Sequence, residues 1–170
     1  EAGRRDDGYA VLEAALAKYP DNPELLYETA LTAERQGKPE VMEKHLRQLL
    51  KLKPDHAHAL NALGYSLAER NIRLAEAQDL ITRALALAPQ DPFIMDSMGW
   101  VQFRQGKLPE ALKTLETAYG IKADPEIAAH LGEVLWTMGR KDDAARLLKD
   151  AAKKYPDNDV LAGAVKKFAP

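Results

Sequence analysis

The chain has 170 residues, 46% hydrophobic and 29% charged, which is enough for one domain with a substantial core. Its 24 basic and 26 acidic side chains leave a formal charge of -2, so no strong positive field would draw nucleic acid or an anionic membrane. Cysteine is absent, which excludes disulfides, thiolate metal sites and a cysteine nucleophile, and no apolar run approaches the roughly 18 residues of a membrane span.

Residues 1–22 open on "EAGRRDDGYA", which carries no hydrophobic leader. Helical periodicity then runs to Pro20. This segment reads as the second half of a repeat, with Gly3 at its turn and Pro20 at its end. Its apolar Tyr9, Leu12 and Leu16 are expected to need a further helix supplied by upstream sequence, as in a piece of a longer protein.

Four full units follow, at 23–56, 57–91, 92–124 and 125–158. The phrases "ALNALGYSLAER", "IMDSMGWVQFRQG" and "IAAHLGEVLWTMG" rhyme, and Gly64, Gly99 and Gly132 fall 35 and 33 residues apart. Ala77, Ala111 and Ala144 keep nearly that spacing. Each unit reads as two short helices joined by a turn at Gly37, Asn71, Gly106 or Gly139. A closing proline (Pro54, Pro89, Pro156) ends most units, because proline cannot continue a helix. Unit two carries one extra residue, in "ERNIRLAEA". Residues 159–170 read as a capping helix, with Val160, Leu161, Val165 and Phe168 over the last repeat and Lys166 and Lys167 toward water.

Together these marks resemble the tetratricopeptide repeat. Leu63-Gly64, Met98-Gly99 and Leu131-Gly132 match its Leu-Gly element, and the later alanines and prolines match the rest of its pattern. The resemblance implies an all-α solenoid, a right-handed superhelix of antiparallel helix pairs whose first helices line a concave face. A glycine in mid-helix costs about 1 kcal/mol relative to alanine. Gly64 and Gly99 are therefore expected at close helix crossings, opposite Ala77 and Ala84 and opposite Ala111 and Ala118.

Carried onto this sequence, the concave face is expected to hold Tyr27, Leu31 and Arg35; His58, Asn61 and Tyr65; Phe93, Asp96, Trp100, Phe103 and Arg104; and His130, Glu133, Trp136 and Thr137. Of these, Tyr27, Tyr65, Phe93, Asp96, Trp100, Phe103, Arg104, Glu133 and Trp136 are the candidate partner-binding residues. Trp100 lies about 100° around the helix from Gly99 and is expected to face the groove, so that its removal would leave the fold nearly intact. Phe103 and Trp136 fit either the groove or a wedge between neighbouring repeats. The family's cationic clamp for a peptide carboxylate is absent, since Tyr27, Leu31, Ala62, Phe93 and Ser97 hold the matching positions.

Nothing in the sequence assembles catalytic machinery. Ser66 and Ser97 sit in helices outside any nucleophile-elbow pattern. His56 and His58 lack further ligands at metal-binding spacing, and no phosphate-binding glycine loop or cofactor motif occurs. Lys44, Arg47, Lys51 and Lys53 read as a solvated outer face.

The phrases "DSMGWVQFRQGKLPEAL" and "EIAAHLGEVLW" also resemble the C-terminal repeats of long outer-membrane lipoproteins of proteobacteria such as Pseudomonas. That resemblance implies a periplasmic, non-catalytic adaptor for a carboxyl-terminal processing protease and its cell-wall hydrolase substrates. The lipid anchor would lie in upstream sequence. The alternative is a structural module that self-associates into a homo-oligomer.

Overall fold

The computed structural model describes residues 2–169, with side chains from residue 8 onward. Ten α-helices and no strand occur among the described residues. They are α1 (Ala2–Lys18), α2 (Pro23–Arg35), α3 (Pro39–Leu52), α4 (Ala57–Glu69), α5 (Leu74–Leu87), α6 (Pro92–Arg104), α7 (Leu108–Ile121), α8 (Pro125–Thr137), α9 (Lys141–Lys154) and α10 (Asp159–Phe168).

Two kinds of helix start alternate along the chain. Each first helix opens on a side chain that accepts a hydrogen bond from its first turn: Asn22 from Leu25 N (3.0 Å), His56 Nδ1 from Ala59 N (3.1 Å), Asp91 from Phe93 N (2.9 Å) and Asp124 from Glu126 N (2.9 Å). His56 thus serves as a helix cap. The second helices α3, α5, α7 and α9 follow Lys38, Arg73, Lys107 and Arg140, none of which caps with its side chain. They gain their direction from the preceding turn. Gly37, Asn71, Gly106 and Gly139 all take positive φ, between 54° and 81°. The next amide closes back on the helix, as in Lys107 N to Gln102 O at 2.9 Å and Arg140 N to Leu135 O at 2.9 Å. Asparagine tolerates this conformation, so Asn71 substitutes for glycine.

The extra residue of unit two is absorbed at Arg73, a second residue with positive φ (46°). Its guanidinium reaches Glu43 of α3 at 2.6 Å, and Arg47 and Arg70 bind the same carboxylate at 2.9 and 3.3 Å. Arg47 also reaches Glu76 at 2.7 Å. Arg47 is therefore part of an ion network joining units one and two, not the free solvated cation expected. Burial opposes ionisation of Glu43, but the bonds from Arg73, Arg47 and Arg70 win and hold its pKa at about 2.

Each pair packs through its first-helix glycine or alanine. A Cβ at Gly99 would lie 2.5 Å from Leu115 Cγ, and one at Gly132 would lie 2.7 Å from Leu148 Cγ. At Gly64 the neighbours are Ile81 Cγ1 (2.6 Å) and Ala77 O (3.0 Å). The alanines expected opposite these glycines are buried, but the contact is made by the branched residue between them (Leu115 between Ala111 and Ala118). The glycine makes room for a large side chain, and the flanking alanines let the helix settle around it.

Helix α6 touches α4 and α8, and α8 touches α10, whereas neighbouring second helices make no comparable contact. The stack therefore closes on the first-helix side and opens on the other. At the near end, α1 is helical from Ala2, so the turn expected at Gly3 is absent. Such a turn reverses the chain between two packed helices, and no helix precedes α1 among the described residues. Tyr9 is only 7% exposed, beneath the Lys38 ammonium (4.3 Å from the ring centre), whereas Leu12 and Leu16 are half-buried. At the far end, α10 packs on α8 and α9 through Leu161, Ala164 and Phe168, and Asn158 caps it as a first helix is capped.

Candidate functional site

The wall of first helices carries two adjoining cavities that share Tyr65 and His130. The smaller, of about 160 Å³, is lined by carboxylates from three helices (Glu34, Asp96, Glu126), by Phe93 and Tyr65, and by Asn61, Ala62 and Ser97. The larger, of about 310 Å³, lies toward α10. Glu69, Glu133 and Lys167 give it polar edges, and Trp100, Val160 and Phe168 give it apolar surface.

Between them stands a network that crosses three repeats. The Nδ1–H of His130 donates to both oxygens of Asp96, at 2.9 and 3.0 Å. Its ring stacks on Trp100 (centroids 4.2 Å apart, planes at 22°), and its Nε2 lies 3.5 Å from the Tyr65 hydroxyl. Trp100 Nε1–H donates to Glu69 at 2.7 Å. Burial alone would push the His130 pKa down. The hydrogen bond and field of Asp96, with the fields of Glu69 and Glu126, overcome that and raise it. The Tyr65 hydroxyl is pushed up by burial and then by the surrounding Glu69, Asp96, Glu126 and Glu34.

This geometry gathers some of the sequence-predicted residues and separates others. Tyr65, Phe93, Asp96, Trp100 and Glu133 line the two cavities. Phe93 is 42% exposed, but Trp100 is only 4% exposed. Trp100 is on the expected wall, yet its bulk fills the wall itself. The expectation that its removal spares the fold is therefore corrected. Asp96 is likewise buried, held by His130. Phe103 is half-buried against Trp100 (5.0 Å), and Arg104 donates to the Glu69 carbonyl at 3.3 Å. Tyr27 lies against His56 (5.3 Å), and Trp136 packs near Phe168 (6.0 Å) beneath Lys141. These last two sit outside both cavities.

Sequence reasoning missed Glu34, Glu69 and Glu126 as parts of the wall. A signal existed. Glu34 and Glu69 lie 70 and 35 residues before Arg104, in the same repeat phase, and Glu126 lies 33 after Phe93. For unit one the expected residue, Arg35, is one position out of that phase. Among the described residues no three His, Asp or Glu side chains are placed to hold a metal ion, and no helix is long and apolar enough to cross a membrane.

Sequence patterns of the tetratricopeptide repeat match residues 1–41 and 43–92, and a second such pattern matches residues 102–167. The chain belongs to the tetratricopeptide repeat family. It is 45% identical, over 130 residues, to a TPR repeat-containing protein of Pseudomonas aeruginosa. The match takes in 76% of this chain and 22% of that protein, so the chain spans about a fifth of its relative's length. Among solved structures, a thermophilic TPR protein of Thermus thermophilus superposes with a TM-score of 0.82 at 25% identity, covering 96% of this chain and 92% of that one. MamA of Desulfovibrio magneticus superposes with a TM-score of 0.73 at 18% identity, over 93% and 89% of the two chains, and shares the fold. The solenoid of helix pairs is thus that of a tetratricopeptide repeat protein, a fold consistent with a scaffold for protein partners.

Proposed function

We propose that this chain is a non-catalytic adaptor that holds a segment of a protein partner along its first-helix wall. The observation that carries the reading is the pair of adjoining cavities at Tyr65 and His130, bordered by carboxylates and an exposed Phe93 on a framework fixed by hydrogen bonds. Such a surface offers rigid aromatic anchors and polar groups already in place, which lowers the ordering cost of binding.

In the finer form of the proposal, the partner is a periplasmic carboxyl-terminal processing protease, with its cell-wall hydrolase substrates, and the chain works tethered to the outer membrane through upstream sequence. Support comes from the lipoprotein-like repeat phrases. Co-purification from an envelope extract tests both levels. Native protein should retain the protease and its substrates, and Phe93→Ala/Glu133→Lys should lose them while melting normally. Retention by the double variant would move the binding surface elsewhere. Capture of other proteins through the same residues would keep the adaptor and reject the protease.

A second reading, self-association, is favoured by the exposed Val11 and Tyr19 on and just after α1. Light scattering against concentration separates it: growth in mass with concentration supports it, and constant monomer mass rejects it.

A further inference from the structure

Resting on the adaptor reading, we propose that the smaller cavity is a receptor for one basic side chain, an arginine or lysine, carried by an extended segment of the partner. Three carboxylates line it and no lysine or arginine does. Asp96 is committed to His130, but Glu34 and Glu126 form no ion pair among the described residues. His130, which lines the cavity and feels Glu126, is held by Asp96, and the nearby arginine and lysine side chains have other partners. Arg70 is drawn to Glu43 at 3.3 Å, and Lys122 sits on the Phe93 ring at 4.4 Å. Arg35 also acts on Glu34 and donates to Thr32 at 2.9 Å.

A second observation points to a donor-bearing ligand. Asn61 lines the same cavity, and its side-chain oxygen is shielded from solvent without a hydrogen-bond partner. A shielded acceptor left unpaired is costly, and an incoming N–H group would satisfy it. Arginine brings five such donors and lysine three, and neither brings an acceptor to compete. The aromatic faces of Tyr65 and Phe93 suit the same charge, and Phe93 already carries one ammonium. The surrounding wall partly desolvates Glu34, which keeps an exposed edge, and raises its pKa, with Arg35 and Arg70 opposing and Glu69 adding to the rise. A cation bound there would relieve that cost. An acidic side chain would meet Glu34 and Glu126 unpaired, which gives discrimination as well as affinity. The larger cavity, with Trp100, Val160 and Phe168, would take an apolar neighbour on the same segment.

The test uses short fluorescent peptide pools, randomised except at one central position held as arginine, lysine, norleucine or glutamate. Binding to the full chain is read by anisotropy. The arginine and lysine pools should bind roughly tenfold or more tighter than the other two, as expected for hydrogen bonds to charged groups. Glu34→Gln/Glu126→Gln should erase that selection, and Glu34→Lys/Glu126→Lys should turn it toward glutamate. Both glutamates lie on exposed positions, so the variants should keep the native melting temperature. Equal binding of all four pools by the native chain would overturn the basic-receptor inference and leave the adaptor intact. Selection that persists in the glutamine variant would overturn it too, by placing the contact elsewhere. No binding of any pool would overturn both readings.

Discussion

Trp100 illustrates what a single residue does here. Its ring fills the wall between Glu69, Phe103 and His130, so it joins unit two to unit four through one side chain. Trp100→Ala is expected to cost about 3–5 kcal/mol of stability, as for other buried aromatics. Phe93→Ala, at a position 42% exposed, should cost under about 1 kcal/mol. Denaturant midpoints of the two variants check the contrast, and equal losses would contradict it. Gly99 gives the opposite test. Alanine is the better helix former by about 1 kcal/mol, yet a Cβ would sit 2.5 Å from buried Leu115. Gly99→Ala should therefore destabilise by about 1–3 kcal/mol through overpacking, and a raised midpoint would remove Gly99 from the crossing. His130 supplies a pH signature. Its folded pKa is raised above the ordinary 6.5, so the stability from its pairing with Asp96 is fully present below 6.5 and is lost as pH rises through the folded value. The stability gap between native protein and Asp96→Asn should shrink as pH rises through that folded value, and NMR titration of the His130 ring should show the raised midpoint directly.

At the scale of elements, repeat phase carried most of what could be read in advance. Positive-φ turns at Gly37, Asn71, Gly106 and Gly139 follow from residue type at a fixed offset, as do the glycines at the crossings. The identity of the facing side chain did not follow, because phase locates a contact only to the nearest turn and Leu115 stands between two plausible alanines. Trp100 could not be resolved either. A residue on the correct wall is buried or exposed according to its neighbours in other repeats, here Glu69 and His130, which lie 31 residues before and 30 after it. Helix α10 offers the element-level prediction. It covers Leu148 and Ala151 and begins with an Asn158 cap on Leu161 N at 2.9 Å. Asn158→Ala should cost about 1 kcal/mol. Ending the chain after Pro156 should cost more and make the last repeat unfold first, since repeat arrays depend on nearest-neighbour interfaces. Hydrogen exchange in α8 and α9 checks this; unchanged protection there would contradict it. The Glu43 network should add an acid limb. Its contribution is present above the ordinary carboxylate value of 4.5 and is lost as pH falls toward about 2.

Across the whole molecule, curvature converts a repeated sequence into a surface that no single repeat contains. Glu34, Asn61, Asp96 and Glu126 come from four successive units, yet they line one cavity because the stack closes on its first-helix side. Periodicity alone assigned residues to that side. It could not show which of them converge, since convergence depends on how far each pair rotates against the next. The central claim is that this wall, rather than the layer of second helices, holds the partner. Photocrosslinking from single positions in envelope extract tests it most directly, with a benzophenone amino acid at Phe93 on the wall and, separately, at Arg83 on α5, which lines a different cleft. The account predicts a discrete crosslinked partner from Phe93, suppressed by Glu34→Lys/Glu126→Lys, and none from Arg83. A partner captured from Arg83 and not from Phe93 would contradict it.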